Sequence, residues 1–158
     1  MKQNTLKVLI ADDHKIFRAG LITILNSINQ ISSIKEAQNG LEVLDLIMKE
    51  SLDLIFMDVK MPGMNGIEAT KTVKKLYPHI KIIALTFYDD QEFVIEMFAN
   101  GASAYLLKNT DREEIEEALT TVLNDHHYYS REVSEALFKR LVDKSLLSQK
   151  SDGTLSVD

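Results

Sequence analysis

The sequence predicts an open, doubly wound α/β domain: a five-stranded parallel sheet in the order 2-1-3-4-5, helices on both faces, and a C-terminal amphipathic helix. Three observations predict it. Runs at Lys7–Ala11, Leu52–Asp58, Ile80–Thr86 and Ala102–Leu107 are almost wholly apolar, as expected of parallel strands covered on both faces. Segments of helical period lie between them. Five strand–helix repeats fit within the 158 residues, and such alternation folds as a parallel sheet with crossover helices.

Each element has its own warrant. Lys7–Ala11 is a short apolar strand flanked by charge. His14–Ile28 carries Ile16, Phe17, Leu21, Ile24, Leu25 and Ile28 at helical spacing. Ser32–Ala37 is partly polar and ends in Glu36–Ala37 without a ligand-type residue, which suits an outer strand. Leu41–Lys49 places Leu41, Leu44, Ile47 and Met48 on one helical face. After the strand Leu52–Asp58, Asn65–Leu76 is helical, with Asn65 as N-cap and Glu68 at N3. Strand Ile80–Thr86 precedes helix Asp90–Asn100, which Gly101 closes. Strand Ala102–Leu107 precedes helix Asp111–Leu123, whose first turn holds Asp111, Glu113 and Glu114, a favourable placement for the helix dipole. Ser130–Leu147 is a sixth amphipathic helix with Val133, Leu137, Phe138, Leu141 and Val142 at helical spacing. Ser148–Asp158 is small and polar and reads as a frayed, flexible tail. The expected organisation is therefore one domain over 1–126, then a linker helix and tail over 127–158.

Composition narrows the function. Hydrophobic residues make up 45% and charged residues 27%, an ordinary globular balance. The absence of cysteine removes disulfides and thiolate metal sites from consideration. The formal net charge of −6 opposes direct nucleic-acid binding, which draws on Lys and Arg. No signal-peptide pattern opens the chain, and no apolar run approaches a membrane span, so a cytoplasmic location is expected.

The strand ends carry the chemistry. Lys7–Ala11 runs into Asp12 and Asp13, the third strand into Asp58, the fourth into Thr86 and the fifth into Lys108. In a parallel sheet these residues emerge along the carboxyl edge, and the switch-point rule puts the site between strands 1 and 3, where Asp12, Asp13 and Asp58 meet. Carboxylates this close repel strongly once desolvated, so a compensating cation is expected; hard oxygen ligands that leave room for waters select Mg²⁺. Three carboxylates, a hydroxyl and an ammonium fit phosphoryl chemistry. Pro62–Gly63 and Asn65–Gly66 form turns that keep the Asp58 strand end open.

VLIADDH, LIFMDVKMPGMNGIEAT, IIALT and GASAYLLK, in that order, closely resemble the receiver domain of bacterial two-component response regulators, over roughly residues 6–125. The DVKMPGMNGIEAT and AYLLKN phrasing and the helix after residue 130 are most similar to the NarL/FixJ (LuxR-type) subgroup. The resemblance implies a flavodoxin-like, CheY-like fold and a signalling role rather than that of an enzyme turning over a substrate. It implies that Asp58 accepts a phosphoryl group from a sensor histidine kinase. It implies that Asp13 and Asp58 touch Mg²⁺ directly, with the backbone carbonyl of Lys60, while Asp12 acts through water. Lys108 would pair with Asp58 at rest and with a phosphoryl oxygen afterwards. Thr86 would turn toward the phosphoryl group, and the Tyr105 ring would then move inward and reshape the fourth helix. Lys60 and Tyr88 would tune loss of the phosphoryl group to water.

Members of that subgroup carry a C-terminal helix-turn-helix domain. Nothing after Ser148 suffices for three helices, so this chain is expected to be the receiver part of a longer transcription regulator, reaching DNA only through that further domain. A stand-alone receiver acting by protein contact is the alternative. The Val133–Val142 stripe suits packing on its own domain, a homodimer, or relay to an output domain. The family usually has Lys-Pro where this chain has Lys108-Asn109; without proline a cis bond costs about 2.5–4 kcal/mol, which leaves either a trans bond or local strain. An aspartyl-phosphate phosphatase is disfavoured because Lys60 stands where its general acid belongs. A flavodoxin-like nucleotide binder is disfavoured because ADDHKIF replaces a glycine-rich loop. His14 follows the acidic pair and reads as the start of the first helix, His79 as a loop residue after Pro78, and the His126–His127 pair as solvated histidines.

Overall fold

A computed structural model describes residues 5–87 and 91–156. The elements, in chain order, are β1 (Leu6–Ala11), α1 (Lys15–Asn26), β2 (Ile31–Ala37), α2 (Gly40–Lys49), β3 (Leu54–Asp58), α3 (Gly66–Leu76), β4 (Lys81–Thr86), α4 (Gln91–Ala99), β5 (Ala104–Leu107), α5 (Arg112–Leu123), β6 (Tyr128–Tyr129) and α6 (Arg131–Ser156). All pairings are parallel and the order is β2-β1-β3-β4-β5-β6. The predicted five-strand order is therefore present, extended by a sixth strand.

Period-two alternation divides the core. Leu9, Ala11, Ile55, Met57, Ile82, Ala84 and Tyr105 face one layer with Val43, Ile47, Val73, Val94 and Met97 of α2, α3 and α4. Val8, Ile10, Leu54, Phe56, Ile83, Leu85 and Leu106 face the other with Leu21, Leu25, Ile115 and Val122 of α1 and α5. Burial on both faces explains why these strands read as unbroken apolar runs.

Helix ends follow the sequence signals. Asn65 and Glu68 form a complete capping box on α3. Asp111 caps α5 through the amide of Glu114. Gly101 follows α4 with φ +109°, a conformation that favours glycine. Gly66 is required for a different reason: a Cβ there would lie 2.1 Å from the carbonyl oxygen of Asp58. Its amide also donates to the Val59 carbonyl at 2.9 Å. The close approach seats α3 directly on the end of β3.

The structure departs from two expectations. His126–Ser130 contains a strand, not only a connection: Tyr128 and Tyr129 pair with Ala104 and Tyr105. Two residues carry no readable periodicity, and Tyr128 is anchored instead by its hydroxyl donating to Glu114 at 3.1 Å. The polar segment from Ser148, expected as a frayed tail, continues α6 to Ser156. Val133 is fully buried and Leu137 packs against the same core, whereas Phe138, Leu141 and Val142 are exposed. Among the described side chains, packing of α6 on the domain is therefore made by Val133 and Leu137 in its first turns.

Candidate functional site

The register delivers the predicted residues to one edge. Ala11 lies beside Met57, Asp58 beside Leu85 and Thr86 beside Leu107. Asp12, Asp58, Thr86 and Lys108 therefore leave the sheet at the same level, and all four are buried. Backbone bonds hold the rim: the Lys108 amide donates to the Thr86 carbonyl at 2.6 Å and the Asp12 amide to the Ala37 carbonyl at 2.9 Å.

Lys108 is the hub. Its Nζ lies 2.7 Å from Asp12 Oδ2 and 3.2 Å from Asp58 Oδ2. The expected Asp58 partner is present, and Asp12 is the nearer one. The other Asp58 oxygen accepts from the Lys60 amide at 3.2 Å. Burial, ahead of the charge of Asp12, pushes the Asp58 carboxyl up to about 7, against the charge and hydrogen bond of Lys108 and the Lys60 amide, which pull it down. Two buried carboxylates sharing one ammonium remain short of positive charge.

Asp13 stands more open at the mouth of the site, and Asp12, Asp13, His14 and Asp58 offer ligand atoms within 4.8 Å of one another. The donor set is oxygen-rich, partly open to water and charge-deficient, which fits a hard divalent cation.

Thr86 ends β4 next to the acceptor strand. The Tyr105 ring, expected to move inward, is already fully buried in the layer that packs α4, with the Phe98 ring 6.4 Å away. The Lys108–Asn109 bond is trans; no peptide among the described residues is cis. Tyr88 lies outside the described residues. His126 and His127 are exposed, and His127 rests edge-on against Phe98.

Sequence reasoning missed three contributors, Arg18, the His14 ring and Phe17, and did not foresee the contact that Phe87 makes. Arg18 is buried, donates to the Asp12 carbonyl at 2.5 Å and pairs with Glu36 at 2.8 Å. Its signal was present: Arg18, Leu21 and Leu25 share one helical face, and a cation on an apolar stripe calls for a buried partner. His14 caps α1 only through its backbone, while its ring enters the site, with Nδ1 2.9 Å from Asp12 Oδ1 and 3.0 Å from Lys108 Nζ. The Phe17 and Phe87 rings lie 5.0 and 4.4 Å from Lys108 Nζ, within cation–π range. Nothing in the sequence distinguished Phe17 from core filler, and Phe87 stood out only by following Thr86.

Residues 8–120 match the response regulator receiver domain. The chain belongs to the response regulator receiver family. Among similar curated proteins is the transcriptional regulatory protein DegU of Brevibacillus brevis, 33% identical over 147 residues, 91% of this chain and 62% of that protein. Another is the oxygen regulatory protein NreC of Staphylococcus aureus, 34% identical over 141 residues, 89% of this chain and 65% of that protein. The chain thus spans a little under two thirds of the length of these relatives. A solved two-component response regulator of the LuxR family from Aurantimonas sp. SI85-9A1 superposes with a TM-score of 0.81 at 26% identity, covering 87% of this chain and 99% of the other. The family and subgroup named from the motifs agree with these relatives. This receiver has an acidic pocket at the expected strand ends, and no helix among its described residues is long and apolar enough to cross a membrane.

Proposed function

We propose that this receiver is a phosphorylation-controlled switch of a two-component system, with Asp58 as phosphoacceptor and a sensor histidine kinase as donor. The observation that carries the reading is the burial of Asp58 against Lys108 and Asp12 at one sheet edge. Asp12 and Asp58 share the Lys108 ammonium at that edge, which supports a charge-handling role for the cluster.

Asp58 ionises, and a carboxylate oxygen attacks the phosphorus of a phosphohistidine; the P–N bond breaks and the imidazole leaves. The Lys60 amide and Lys108 hold the two Asp58 oxygens, which orients the attacking one. Lys108 then follows the charge onto a phosphoryl oxygen. Asp13, Asp58 and the Lys60 carbonyl would hold Mg²⁺, with Asp12 acting through water. The cation would supply charge neutralisation for the transferring group. Return to rest is attack of water on phosphorus, releasing inorganic phosphate and the Asp58 carboxylate.

Thr86 and Tyr105 form the relay in this reading. Thr86 turns toward the new oxygens, and Tyr105, packed near Phe98, passes the change to α4. DegU is by name a transcriptional regulator, which supports an output in transcription, exerted on DNA through a further domain. Exposed Phe138, Leu141 and Val142 support a second copy of the chain, or that domain, as a contact of α6.

The test is incubation with acetyl phosphate and Mg²⁺, followed by intact mass. One phosphoryl group on the parent and none on Asp58→Asn is the expected result. A parent that takes no label, or a variant that still does, overturns it.

A further inference from the structure

We propose that Glu114 is a clasp that ties the turn headed by Lys108 to β6, so that a shift of Lys108 onto a phosphoryl group is passed to β6 and the root of α6. The inference rests on the receiver reading and adds to it a second outlet, on the face of the sheet opposite α4.

Glu114 stands at the N3 position of α5, whose N-cap is Asp111. A carboxylate there commonly returns to the backbone amide of the N-cap. This one bridges two other segments. Its Oε1 accepts from the Thr110 hydroxyl, and its Oε2 accepts from the Tyr128 hydroxyl at 3.1 Å. Thr110 belongs to the turn that leaves β5: its amide donates to the Leu107 carbonyl at 3.1 Å, across Lys108 and Asn109. Tyr128 belongs to β6, where its amide donates to the Ser103 carbonyl at 2.9 Å and its ring packs in the layer of α1 and α5. Ser130 ends this connection. It is buried, and its hydroxyl accepts from the Val133 amide at 3.3 Å in the first turn of α6.

Hydrogen bonds to a carboxylate are roughly twice as strong as those between neutral groups, so both prongs hold. Burial, and after it the charge of Glu114, push the Tyr128 hydroxyl above its ordinary value, which keeps it a donor near neutral pH. The two bonds act in series: removing either hydroxyl frees the turn from β6 while the backbone pairing of β6 with β5 stays. In the proposed reading Lys108 leaves Asp12 and Asp58 for a phosphoryl oxygen. The turn it heads follows, Thr110 carries Glu114, and Glu114 draws Tyr128. Glu114 touches no reacting atom and is a positioning residue; a contiguous hydrogen-bonded network of this kind carries coupling between two places.

The test records amide NMR spectra of the full chain in Mg²⁺, before and after saturation with beryllofluoride, which takes the place of a phosphoryl group on a carboxylate. The parent, Thr110→Val, Thr110→Ser and Tyr128→Phe are compared. The Thr86 amide reports occupancy of the site, Ser130 the β6 outlet and Met97 the α4 outlet. All three are expected to shift in the parent and in Thr110→Ser, which keeps the hydroxyl. In Thr110→Val and Tyr128→Phe the Thr86 and Met97 shifts should remain and the Ser130 shift should be lost. A contact that only stabilises the fold would lower the melting temperature and leave the Ser130 shift in place. A Ser130 shift that survives in either variant, or that falls together with the Met97 shift, overturns the proposal, and so does a parent in which Thr86 responds and Ser130 does not. A parent whose Thr86 amide does not respond overturns the receiver reading itself, and the clasp with it.

Discussion

Replacing Asp58 by asparagine should make the metal-free domain more stable. The Asp58 carboxyl is pushed from 3.8 to about 7, chiefly by burial. Ionising it in the folded state therefore costs roughly 4 kcal/mol, at 1.36 kcal/mol per pH unit. Between pH 3.8 and 7 the folded protein binds more protons than the unfolded chain, so this group removes stability as pH rises through that window and holds a constant penalty above it. Asparagine has the shape of the protonated acid and no titration. In EDTA the variant should exceed the parent by roughly 4 kcal/mol at pH 8 and by about 2 kcal/mol at pH 5, since the penalty has only begun to accumulate there. In melting temperature the pH 8 gap corresponds to a rise of about 8 °C or more. Urea unfolding followed by circular dichroism measures both values, and addition of Mg²⁺ at pH 8 should narrow the gap by stabilising the parent alone. A variant no more stable than the parent at pH 8 in EDTA would refute the charge argument, and so would a gap that does not shrink at pH 5.

Three further outcomes follow from named contacts. Gly66→Ala sets a Cβ 2.1 Å from the Asp58 carbonyl oxygen, a backbone atom that cannot swing aside; a loss of about 2 kcal/mol in urea unfolding is expected, together with slower labelling of Asp58 as the end of β3 shifts. Arg18→Met leaves the Asp12 carbonyl and Glu36 without their partner and should cost about 1–3 kcal/mol; Arg18→Lys should recover little, because one ammonium does not reproduce the guanidinium fork. Lys108→Met strands the buried Asp12 and Asp58 carboxylates; a loss of about 3–5 kcal/mol in EDTA, partly restored by Mg²⁺, is expected, with the Asp58 carboxyl in NMR titration moving further up.

Much of this architecture was legible because its signals are local and redundant. Four buried strands betray themselves by apolar runs that end in polar residues, and Asn65–Glu68 announces α3 through a capping box that forms as expected. β6 was illegible because two tyrosines have no period; its place follows from pairing with β5. The end of α6 was illegible for the opposite reason. A polar segment ending in SDGTLSVD looks like a tail, and continuation of a helix already begun costs far less than starting one. Within the site, charge type and strand position predicted Asp12, Asp13, Asp58 and Lys108. They did not predict that Lys108 sits closer to Asp12 than to Asp58, because that depends on side-chain reach across three strands. His14 was read only as the start of the first helix although it adjoins the acidic pair; its backbone does cap α1, while its ring turns back into the site.

The division of the core gives the proposed relay a direction. Asp58 follows Leu54 and Phe56 in the alternation that faces α1 and α5, whereas Thr86 follows Ile82 and Ala84 in the alternation that faces α2, α3 and α4. In the proposed reading, new negative charge on Asp58 is met by Lys108, which directly follows β5, and by Thr86 at the end of β4. Only the second of these belongs to the layer that contains Tyr105, Met97 of α4 and Val133 of α6. A response of Thr86 is therefore passed through packed side chains toward α4 and the start of α6, while α1 and α5 are insulated by the sheet between them. An interior close-packed in this way switches between discrete packings instead of deforming smoothly. The strength of the signal is then set by how far Thr86 moves, and its destination by the face of the sheet on which Thr86 lies.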